Sequence, residues 1–149
     1  MQPSMNFVKS AKHILPAGEY FIGDVCYFLQ DTICEKIWEN ADGDNEGCFV
    51  KKDGSGFGTC NVDSGNGVYQ GSNKFKYEVD NFNLGIVPLK FGDKKKFTGC
   101  GTFHFFDMPV TFTKNDGVIV FESGDWSLKI NTNDNEEISS DDTGYDSWS

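Results

Sequence analysis

The sequence predicts an all-β domain, a compact antiparallel barrel or sandwich of roughly eight to ten strands that ends in a β-meander and carries one short amphipathic helix. Three observations point there. Aromatic residues make up 15% of the 149 residues, with 14 Phe, and 17 Gly supply turns; Phe, Tyr and Val favour pleated, half-buried surfaces. From Phe97 onward, alternating apolar runs recur at short intervals. Only one stretch has helical spacing.

The chain is long enough for one domain with one core. Residues 1–12 read as a lead-in, residues 13–131 as the β-domain and residues 132–149 as an acidic tail. His13-Ile14-Leu15-Pro16 suits a short edge strand ended by proline. In the segment from Gly18 to Leu29, Tyr20 and Ile22 alternate with Glu19 and Phe21, as in a strand with one buried and one mixed face. Gly23-Asp24 breaks the run, so Cys26 leaves a turn. Thr32 and Glu35 have capping-box spacing, and Ile33, Cys34, Ile37 and Trp38 share a face. Together they predict the helix.

Gly47 to Lys52 and Phe57 to Val62 form a hairpin around Asp53-Gly54. Gly65-Asn66-Gly67 reads as a turn that re-aims Tyr69. Phe75, Tyr77 and Val79 alternate with lysines and Glu78. Leu84 to Leu89 reads as a more buried strand, with Pro88 marking an edge or an end. Thr102 to Phe106, Val110 to Lys114, Val118 to Glu122 and Trp126 to Asn131 are expected as four strands. Their links, Asp107-Met108-Pro109, Asn115-Asp116-Gly117 and Ser123-Gly124-Asp125, predict antiparallel neighbours.

Charge narrows the function classes. The formal net charge is −10. Residues 132–149 hold six acids (Asp134, Glu136, Glu137, Asp141, Asp142 and Asp146) and no base, which leaves 17 acids against 13 bases, net −4, in the body. Phosphate neutralisation needs a basic face, so nucleic-acid binding is disfavoured. No apolar run approaches the roughly 20 residues of a membrane helix, and no membrane association is expected. The start of the chain lacks a charged segment followed by an apolar one, so no signal peptide is expected. Five Cys without CxxC spacing fit a reduced, intracellular setting with free thiols.

Candidate chemistry is sparse. Cys26, His104 and Asp107 stand in the order of a cysteine hydrolase or amidase, in which His takes the thiol proton and the acid holds the ring, with Asp24 as the other candidate for that acid. Against this, Cys26 is flanked by Val25, Tyr27 and Phe28, which supply apolar surface and no cation; a small buried hydrophobe is the plainer reading. Asp42, Asp44, Glu46 and Asp53 echo a calcium loop around Gly47. The twelfth position is Asp rather than a bidentate Glu, however, and Gly54-Ser55-Gly56 cannot begin an exiting helix. A solvated acidic turn accounts for those residues, and neither metal nor cofactor is expected. The tail of residues 132–149 is expected to be disordered in isolation; Tyr145 and Trp148, aromatics set among its acids and serines, suit a short segment that docks on a protein partner, and an inert solubilising tail accounts for them equally well.

Several pieces of the chain, in order, resemble a family of small, functionally unassigned proteins from phages, bacteria and large DNA viruses. They are Gly23-Asp24-Val25-Cys26-Tyr27 with the strand before it, Trp38, Gly65-Asn66-Gly67-Val68-Tyr69, Tyr77-Glu78-Val79-Asp80, Leu84-Gly85-Ile86 and Gly117-Val118-Ile119. Val25 stands where the family form has Pro, and Asn66 where it has Asp. The resemblance implies a shared fold and a viral or phage context. It assigns no catalytic residue. The expected function is therefore a non-catalytic structural or interaction protein, virion-associated in that context, with the Cys26–His104 hydrolase as the alternative.

Overall fold

Side chains on a strand alternate between two faces, so a strand with apolar residues at every position needs a core on both sides. In the third strand the run Tyr20-Phe21-Ile22 is of that kind, and the fold is built around it. A computed structural model describes residues 8–10, 13–33, 35, 47–62, 64–80, 83–97 and 99–133. β1 (Val8–Ser10), β2 (Ile14–Leu15) and β3 (Gly18–Gly23) lead into a 3₁₀ turn at Val25–Tyr27. β4 (Gly47–Val50), β5 (Gly56–Asn61), β6 (Gly67–Gln70), β7 (Lys76–Val79) and β8 (Asn83–Pro88) follow. Two further 3₁₀ turns, Leu89–Phe91 and Lys94–Lys96, precede β9 (Thr102–Phe106), β10 (Val110–Asn115), β11 (Val118–Ser123) and β12 (Trp126–Asn131).

The strands make three antiparallel sheets: β1-β4-β5-β8-β3-β9, β12-β11-β10-β2, and the hairpin β6-β7. The fold is all-β and sandwich-like. The hairpin at Asp53-Gly54, the edge strand at Ile14–Leu15 and the β10-β11-β12 meander all lie where the sequence puts them. Pro88 is the last residue of β8, a strand in the middle of its sheet.

Four expectations change. Val8–Ser10, inside the stretch read as a lead-in, is an edge strand on β4. β9 is not the first strand of the meander: it pairs with β3 in the six-stranded sheet, His104 opposite Tyr20. The Asp107-Met108-Pro109 link carries the chain from one sheet to the other, as sandwich corners do. Phe21 is as buried as Tyr20 and Ile22, so β3 has two buried faces rather than one. The helix starts at Asp31, which puts Thr32 in its first turn rather than at the cap. Residues 36–46, and with them most of the expected helix, lie outside the described residues.

The six-stranded sheet is the middle layer. On one face Tyr20, Ile22 and Ile86 pack with Tyr69, Tyr77, Phe112, Phe121 and Leu128 of the other two sheets. The opposite face packs Phe21, Phe49, Phe57 and Val87 against Val25, Phe28, Leu29, Ile33 and Phe91. Among the described residues that second cover is made of 3₁₀ turns and the first helical turn, not of a sheet. One glycine on each side admits a ring. A Cβ at Gly58 would overlap the buried ring of Phe112, and one at Gly92 would overlap that of Phe28.

Candidate functional site

The Gly-Asp-Val-Cys-Tyr segment forms the corner where β3 ends. Asp24 is fully buried and caps the 3₁₀ turn: its Oδ1 accepts the Cys26 N–H at 3.1 Å. Its Oδ2 accepts the Asp80 N–H at 2.8 Å, which ties this corner to the end of β7. The Tyr27 hydroxyl donates to Asp80 Oδ2 and closes the loop. The Gly23–Tyr27 and Tyr77–Asp80 segments, 56 residues apart at their acids, thus meet at one point. Asp24 works here as a backbone-pinning carboxylate. The sequence offers no direct signal for the Asp80 partnership, because only the fold brings β7 to this turn.

Cys26 is half-buried and packs against the phenylalanine-rich core. His104 lies on the other side of the sheet. It stands opposite Tyr20, which belongs to the core between the sheets, and its ring lies 4.9 Å from that of Trp126 and stacks on Phe106 at 5.8 Å. The structure does not bring Cys26 and His104 together; a strand of sheet separates their faces. Asp107 follows β9 as an exposed corner residue.

His104 belongs instead to a hydrogen-bonded row that the sequence reading missed. Its Nε2 lies 2.7 Å from Thr102 Oγ1, which lies 2.8 Å from the Tyr77 hydroxyl, and the Asn73 amide donates to that hydroxyl at 3.0 Å. Burial disfavours the imidazolium and pulls the His104 pKa down, and burial pushes the Tyr77 pKa up. The row links β7 to the edge strand β9 through polar groups that would otherwise be buried without partners. Period-two spacing puts Thr102 and His104 on one face, but the contact with Tyr77 depends on tertiary placement.

Asp53, the described member of the calcium-loop set, spends its carboxylate locally. It accepts the Ser55 N–H at 3.0 Å and the Ser55 hydroxyl at 2.6 Å, and those bonds hold its pKa below the usual carboxylate value. Asp42, Asp44 and Glu46 lie outside the described residues, as do Tyr145 and Trp148. Among the described residues no group of three or more His, Cys, Asp or Glu converges as metal ligands do. Cys26, Cys48, Cys60 and Cys100 are thiols rather than disulfides. No described helix is long and apolar enough to cross a membrane.

Among the described residues, exposed apolar side chains concentrate at one place. Of the large hydrophobic side chains exposed among the described residues, Phe103 (45%), Phe105 (70%) and Met108 (52%) fall within six consecutive positions on β9 and the corner after it. Comparison with protein-family models, curated proteins and solved structures returned no match to this chain.

Proposed function

We propose that this chain is a non-catalytic structural or interaction protein, working within an assembly of phage or viral type, and that it docks through protein–protein contacts. The observation that carries this reading is the exposed apolar run Phe103, Phe105 and Met108 on a sheet edge. Large apolar side chains gathered in one exposed patch mark contact surfaces more than scattered ones do. Tyr145 and Trp148, in the acidic C-terminal segment, are a second docking element of matching aromatic character. The described residues also give the hydrolase alternative little to work with, since Cys26 and His104 pack into different cores.

The test is affinity capture from producing or host cells with the full chain, a Tyr145→Ala/Trp148→Ala chain and a Phe105→Ser chain, read by quantitative mass spectrometry. A defined protein retained by the full chain and lost from a variant is the expected result. Rapid, pH-dependent alkylation confined to Cys26 and abolished by His104→Ala would instead favour the hydrolase.

A further inference from the structure

β9 (Thr102–Phe106) ends the six-stranded sheet. It pairs with β3 on one side, and no other described strand bonds to it. A bare edge is a template for another strand, and soluble proteins usually blunt it with lysine, proline or a bulge. The sequence Thr-Phe-His-Phe-Phe has no lysine or proline, and the β3–β9 register runs without interruption through five pairs.

The two ends of this edge differ in charge. At the Phe103 end, the Lys94–Lys96 turn runs directly into Phe97, whose ring meets Phe103 edge-on at 4.8 Å; Lys94 and Lys95 are exposed. At the other end Glu19, exposed, stands opposite Phe105, and the exposed Asp107 follows the strand.

We propose that β9 is a self-association edge, at which a second copy of this chain adds its own β9 antiparallel about a two-fold axis near His104. An antiparallel pair of identical strands satisfies itself, residue i of one copy meeting residue j of the other while j meets i. Centred on His104, this pairing sets Phe103 of each copy beside Phe105 of the other on one face. It also brings the lysine end of each edge to the acidic end of its mate, whereas a parallel pairing would oppose like charges. The sheet then runs continuously through both copies, and the exposed phenylalanines become its covered seam. This inference rests on the interaction reading and names the partner as the chain itself.

Sedimentation of the full-length chain over a range of concentrations, at low and high salt, tests it. A species of twice the 16.6 kDa chain mass is expected, weakened by salt. Phe105→Lys changes an exposed side chain and is expected to weaken the dimer by about tenfold or more. Reversing the lysines with Lys94→Glu/Lys95→Glu should also weaken it, and adding Glu19→Lys/Asp107→Lys should restore it. Amide exchange at residues 102–106 should slow as concentration rises, which reads the pairing without any substitution. A monomer at every concentration, or a dimer indifferent to Phe105→Lys, overturns the proposal. So does a dimer lost only in Tyr145→Ala/Trp148→Ala, which would place the contact in the C-terminal segment. A monomeric chain that still captures a defined protein leaves the interaction reading standing while this one falls. A dimer whose Cys26 labels as a hydrolase thiol does the reverse.

Discussion

The two cores that flank the six-stranded sheet are built on different plans. Between the sheets, side chains of regular strands interdigitate, and tyrosines at the margin carry their hydroxyls to backbone or side-chain partners: Tyr20 donates to the Pro16 carbonyl at 2.5 Å, and Tyr77 joins the row to His104. On the far side the sheet offers phenylalanines, and the cover is a set of short turns that carry Val25, Phe28 and Phe91. Phe21 stacks on Phe28 at 4.9 Å and Phe57 meets Phe91 edge-on at 6.5 Å, so aromatic contact does there what a second sheet does on the first side. Short turns have few backbone bonds of their own, and side-chain caps help two of the three hold shape. Asp24 caps the Val25–Tyr27 turn and Asp93 the Lys94–Lys96 turn, each accepting a backbone N–H two residues on, whereas the Leu89–Phe91 turn starts at Pro88 without a side-chain cap. Tyr20 to Ile22 of β3 are thus buried on both faces, with packed sheets on one side and irregular turns among the described residues on the other.

Four measurements would break or sharpen that contrast. The largest effect should come from matched truncations, Phe112→Ala in the first core and Phe28→Ala in the second. Both rings are fully buried, and each should cost about 3–5 kcal/mol in denaturant unfolding. A loss under about 1 kcal/mol for Phe28→Ala would reduce the second cluster to a loose cover. Next in size is Asp24→Ala, which strands the N–H groups of Cys26 and Asp80 and should cost about 2–3 kcal/mol. If turn capping contributes little, this variant will unfold at the same denaturant concentration as the parent.

Smaller effects should appear in pH dependence, and they belong to the first core. The His104 pKa is lowered by burial, so the unfolded chain binds its proton more readily. The associated stability is fully present above the unfolded value of about 6.5 and is lost as pH falls through the folded pKa. Thermal melts from pH 7.5 to 5 should show this loss, and His104→Gln should flatten it. Cys48 acts at the other limit. Burial pushes its pKa up to about 11, so its contribution is present below the unfolded value of about 9.0 and fades as pH rises toward 11. The smallest perturbation is chemical: in the native chain iodoacetamide should modify Cys26 well before the buried Cys48, Cys60 and Cys100, and after denaturation all five cysteines should titrate without reductant. Peptide mass mapping reads the order, and early labelling of Cys48 would show that the first core opens more readily than its regular sheets suggest.

The sequence by itself determined the all-β class, the Asp53-Gly54 hairpin, the closing meander, the short strand before Pro16 and the faces of β9. Each of these depends on neighbours within a few residues, where period-two alternation and turn chemistry act directly. Tertiary structure decided the rest. Which sheet β9 joins could not be read from Asp107-Met108-Pro109, because a short link serves a hairpin or a corner equally well, and the choice depends on where Phe106 and His104 find cover. The separation of Cys26 from His104 follows from that choice, since a catalytic pairing requires one face and sequence order carries no face across a crossover. The Asp24–Asp80–Tyr27 knot and the Tyr77–Thr102–His104 row likewise join residues far apart in the chain. Their partners are set where buried groups such as the Asp24 carboxylate and the Tyr77 hydroxyl meet donors and acceptors from other elements once the layers have packed, a condition that does not exist until the fold does.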